Sequence, residues 1–79
     1  MIDSSTRKPI RVSTDGTSGP YVMVPVDQLD QVHKLLRAND IQHWIDHNAI
    51  SVDGRPAVAV INLSKKADPR HVQALLDGV

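Results

Sequence analysis

The chain has 79 residues, no cysteine and a formal charge of zero, nine basic side chains balancing nine acidic ones. That length holds one domain, the missing cysteines exclude disulfides and thiolate metal sites, and the balanced charge argues against a protein that works by neutralising nucleic-acid phosphates. No stretch approaches the roughly 18 apolar residues that cross a bilayer, and Met1 to Arg11 carries no apolar signal core, so the expectation is no membrane and a cytoplasmic location.

Apolar residues make up 41% of the chain. They are nearly all aliphatic, since Phe is missing and only Tyr21 and Trp44 are aromatic. Their regular recurrence marks a folded chain, although one this short buries only about 60% of its unfolded surface.

In chain order, residues 1–9 are polar (Ser4, Ser5, Thr6, Arg7, Lys8) and read as a flexible leader outside a domain spanning 10–79. Ile10 to Thr14 alternates apolar with polar residues and predicts a short strand. Asp15 to Pro20 is dense in turn residues. Tyr21 to Val26 (YVMVPV) is an apolar run that predicts a strand; Pro25, lacking an N–H, belongs near its end or on an unpaired side. Asp27 is the expected N-cap of a first helix over residues 28–38, with Leu29, Val32, Leu35 and Leu36 as its apolar stripe and Asn39 as a left-handed stop.

Ile41 to Val52 mixes β-formers with Asp46, His47 and Asn48, and predicts a strand broken or bulged at those three. Asp53-Gly54 signals a hairpin, and Ala57 to Leu63 (AVAVINL) is the most strand-like run. Asp68 caps a second helix with Pro69 in its first turn, Val72, Leu75 and Leu76 as its stripe, and Gly78 at its stop.

The order is ββαββα. Both helices bury their stripes if they lie on one face of a four-stranded antiparallel sheet, an α+β two-layer sandwich, with the apolar strands central and the mixed ones at the edges. The architecture resembles small ferredoxin-like regulatory and binding domains, in permuted form. That resemblance is one of fold and assigns no function.

Candidate chemistry concentrates at His43, Trp44, Asp46 and His47. Two imidazoles and a carboxylate form part of a metal site in many proteins, but along a strand His43 and His47 stand about 13 Å apart. A third ligand would have to come from His33 or His71, both on helix flanks. The simpler reading is of polar positions on an edge strand. Ser64, Lys65, Lys66 and Arg70 surround the start of the second helix, where anions bind, but Asp68 already fills that cap. Ser51 and Ser64 have no base at a motif spacing, and Arg7, Lys8 and Arg11 read as a solvated tail.

The expectation is therefore a non-enzymatic protein-interaction or regulatory module without a cofactor. It would meet a protein partner, or a second copy, through an edge strand. His43, Trp44 and His47 would border that surface, and binding would weaken as the histidines gain charge. The alternative is a histidine-based metal-binding protein.

Overall fold

The computed structural model describes residues 1–14, 19–50 and 57–79, with residues 47–50 described by their backbone. Four strands and two helices appear in the expected order: β1 (Val12–Ser13), β2 (Tyr21–Pro25), α1 (Leu29–Ala38), β3 (His43–Ile50), β4 (Val58–Leu63) and α2 (Pro69–Asp77). The strands form one antiparallel sheet in the order β1-β2-β4-β3. The two apolar strands lie at the centre and the two mixed ones at the edges. This order is compatible with a permuted ferredoxin-like sheet.

The period-2 pattern of the central strands decides which face is covered. Val22 and Val24 of β2, with Ala59, Ile61 and Leu63 of β4, are at most 2% exposed. On the helices the buried positions are Val32 and Leu36 of α1 and Val72 and Leu76 of α2. The helix residues join the β2 and β4 side chains and Ile10 in one cluster, so both helices cover the same face. Each fully buried aliphatic side chain contributes about 1.5–3 kcal/mol relative to exposure. Pro25 closes β2, and its missing donor faces the side on which β1 has already ended.

The helix ends show where local signals were read correctly and where they shifted. Asp68 caps α2 by accepting from the Arg70 amide at 2.9 Å, and Pro69 occupies the first turn. Asp27 does not cap α1. Residues Val26–Gln28 form a single 3-10 turn, the helix starts one residue later from Gln28, and the Asp27 carboxylate accepts from the Ser4 hydroxyl. At the far end the left-handed residue is Asp40 (φ 56°), not Asn39. The Asp40 amide returns to the Arg37 carbonyl and the Ile41 amide to that of Leu36, the paired bonds of a Schellman stop. Gly78 ends α2 in the right-handed region.

Residues 1–9 fold back on themselves. Ile2 bridges Pro9, Asp3 bonds Lys8 and Arg7 through the backbone, and Gln28 holds the Ser4 amide and the Ile2 carbonyl. The Met1 amine donates to the Leu76 carbonyl. The segment expected to be a leader is thus hydrogen-bonded to both helices' ends.

As expected, β3 is irregular in its middle. Its pairing with β4 runs from His43↔Leu63 to Asp46↔Val60 and resumes at Ile50↔Val58. Four positions on β3 therefore pass two on β4, so the strand bulges at residues 47–49. The hairpin expected at Asp53-Gly54 lies outside the described residues.

Candidate functional site

The helices cover one sheet face and leave the other open. Register places two rows of side chains on the open face: Ser13, Tyr21, Asn62 and Trp44, then Met23, Val60 and Asp46, and continuing the alternation of β1 by one residue adds Arg11 to the end of the second row. Arg11 belongs there because it alternates with buried Ile10 and half-buried Val12. Trp44 is 57% exposed and Met23 49%, while Tyr21, Val58 and Val60 are half-buried between them. Apolar side chains clustered on an uncovered sheet face are unusual for a solitary domain.

The two sheet edges are not equivalent. The β1 edge is two residues long and already occupied: the Gln73 side chain accepts from the Val12 amide at 2.9 Å and donates to the Ile10 carbonyl at 3.1 Å. On β3 the backbone of His43 and Ile45 points outward, because the Gln42 carbonyl and its alternates point at β4. Only the stretch before the bulge is straight, and a bulge blunts an edge against a further strand.

The residues singled out in the sequence separate here. Trp44 stands on the open face. His43, one position along, stands on the helix-covered face, in register with Leu63. The His47 side chain lies outside the described residues. His43 instead meets His33 of α1: Nδ1 of His33 and Nε2 of His43 are 2.9 Å apart, and the rings lie edge to face with centroids 5.0 Å apart. His43 Nδ1 is 2.8 Å from the Ile41 carbonyl. A carbonyl only accepts, so His43 donates from Nδ1; when both rings are neutral its Nε2 is then the acceptor and His33 donates from Nδ1. Ten residues separate these histidines on different elements, so no spacing rule links them in the sequence. Among the described residues no three His, Cys, Asp or Glu side chains gather as a metal cluster.

A cleft of about 460 Å³ opens between the end of α1 and the start of α2, lined among others by Asp40, Gln42, Lys66, Asp68 and His71. Its walls mix both charges. The Asp68 carboxylate already binds the Arg70 amide, leaving a negative charge where an anion would sit. Lys66 donates its backbone amide to the Ser64 hydroxyl, so the loop before α2 satisfies its own polar groups.

Comparison with known proteins yields no match, whether with family models, curated proteins or solved structures. The functional reading therefore rests on the geometry above.

No helix among the described residues is long and apolar enough to cross a membrane. The sequence reading missed the open face because Tyr21, Met23, Val58 and Val60 read simply as parts of apolar strands. The signal was present in the period-2 alternation, but it assigns faces only once the register is known.

Proposed function

We propose that this chain is a non-enzymatic interaction module that binds a second copy of itself through the open sheet face, with Trp44 as the anchor. The observation that carries this reading is a tryptophan more than half exposed on the same uncovered sheet face as exposed Met23, with β4 between their strands. Tryptophan combines a large apolar area with one donor and is enriched at interface hot spots.

Two features favour a second copy. The zero net charge imposes no long-range repulsion between identical molecules. The row Arg11, Met23, Val60, Asp46 is basic at one edge, apolar in the middle and acidic at the other. Two sheets stacked about a two-fold axis along the strands lay each Arg11 over the partner's Asp46, as isologous contacts require, in the aligned packing of β-sandwiches. The face mode is preferred over edge pairing because the bulge at residues 47–49 interrupts β3 and Gln73 covers β1.

Sedimentation equilibrium with thermal melts tests this. The wild type should self-associate reversibly. Trp44→Ala and Met23→Lys should each be monomeric while melting cooperatively, since truncating an exposed side chain stays well below the roughly 3–5 kcal/mol of a core tryptophan. A wild type that remains monomeric at millimolar concentration, or a Trp44→Ala chain that no longer folds, overturns the reading.

A further inference from the structure

The hydrogen bond between His33 and His43 joins two titratable rings on different elements, on the covered side of the sheet and away from the open face. We propose that this pair is an acid-sensitive tie between α1 and the start of β3, which takes up one proton without parting and opens when both rings are charged.

The proton count carries the inference. With both rings neutral, one proton lies between His33 Nδ1 and His43 Nε2, 2.9 Å apart, and the Ile41 carbonyl holds the His43 Nδ1 proton at 2.8 Å. The vacant nitrogen is then His33 Nε2. A first proton bound there leaves the N–H···N bond in place and makes it charge-assisted, which strengthens it. A second proton has one place left, His43 Nε2, the nitrogen that accepts. Two N–H groups would then face each other across 2.9 Å, each on a ring bearing a positive charge, and neither has a lone pair to offer. The rings can only part.

The surroundings add to this. On α1, Asp30 and Arg37 lie one turn to either side of His33. Asp30 is already paired with Lys34 at 3.0 Å, and Lys34 and Arg37 contribute positive charge. From the sheet, Leu63 and Ile61 of β4 and Ile45 of β3 share the covered face with His43, and all three are apolar. Asp46 stands on the opposite face, and Asp40 lies in the turn that joins the two elements.

What opens is local. The Ile41 amide stays on the Leu36 carbonyl and β3 keeps its ladder with β4. Only the end of β3 that carries Trp44 loses this tie to the helix.

The test follows the histidine ring signals and the Trp44 amide of the full chain by NMR, from about pH 8 to about pH 4, across the range in which imidazoles charge. The His33 and His43 signals should move together in two separate steps, and those of His71 in one. At the second step the exchange protection of the Trp44 amide should fall about fivefold, the equilibrium equivalent of one net hydrogen bond. His33→Asn and His43→Gln place an amide where the ring nitrogen stood. An amide donates to a neutral ring and, turned over, accepts from a charged one, so each variant keeps the tie throughout. Both should hold their Trp44 protection in acid, whereas His71→Asn should lose it as the wild type does. Met23→Lys, altered on the other sheet face, should also behave as the wild type, which separates the tie from association through that face. If a variant fails to fold, the ring signals of the wild type decide. The proposal is overturned if His33 and His43 each titrate in one independent step. It also fails if Trp44 protection in the wild type is insensitive to acid, or falls equally in the wild type and both variants.

Discussion

The Asp3 carboxylate accepts from the Ser5 amide at 2.7 Å, the Ser5 hydroxyl at 2.6 Å and the Thr6 amide at 3.1 Å. Partial burial pushes its pKa up, but the Ser5 hydroxyl and the Ser5 and Thr6 amides outweigh that and hold it below the ordinary aspartate value. A folded-state pKa below the unfolded one stabilises the fold above the unfolded value, and that contribution disappears as pH falls through the folded value. Asp3→Asn should therefore melt slightly lower than the wild type at neutral pH, and the gap should close as the solution is acidified below pH 3.8. Melts at a series of pH values check this; a gap that widens in acid would contradict the assignment. The effect is small because the site faces water. This turn could not be read from composition, since a serine- and threonine-rich start looks the same whether it is solvated or closed around a carboxylate.

At the scale of elements, Asp40 terminates α1 at φ 56°, a region that most residues with a Cβ enter only at a cost and glycine enters freely. Asp40→Gly should stabilise the domain by about 0.5–1 kcal/mol, read as a higher midpoint in urea with an unchanged slope. A loss would mean that the Asp40 side chain itself holds the turn. The helix stripes were legible because Val32 with Leu36, and Val72 with Leu76, repeat at four residues. Two readings near the ends missed by one residue: Asp27 as cap and Asn39 as the left-handed stop. In each, a neighbouring interaction outweighed the local preference. Ser4 engages Asp27, and the Asn39 side chain donates to the Leu35 carbonyl at 2.8 Å, whereas Gly78 stops α2 as expected. Terminal residues are the least determined by local sequence.

At the scale of the molecule, the sheet order was readable because two strands are apolar and belong at the centre, two are mixed and belong at the edges, and β1 pairs with β2 as its hairpin neighbour. What the sequence could not show is which distant side chains meet. His33 finds His43 across the α1–β3 junction, and Gln73 finds β1. Both are products of register, and register follows from the summed packing of the core.

The Gln73 clamp has a kinetic meaning. Its bonds to Val12 and Ile10 span 61 and 63 positions, among the most distant pairings in the chain, and loop-closure entropy defers such contacts until a nucleus of nearer ones exists. β2, β4 and α1 can assemble without β1, whereas β1 has its outer edge satisfied only once α2 is docked. The clamp therefore belongs on the native side of the folding barrier. Gln73→Ala should accelerate unfolding and leave the refolding rate nearly unchanged, visible as a shift of one arm of the chevron alone. In the native state, the Val12 amide should exchange with solvent in step with α2, so that the first strand and the last helix open as one unit while the centre of the sheet stays closed.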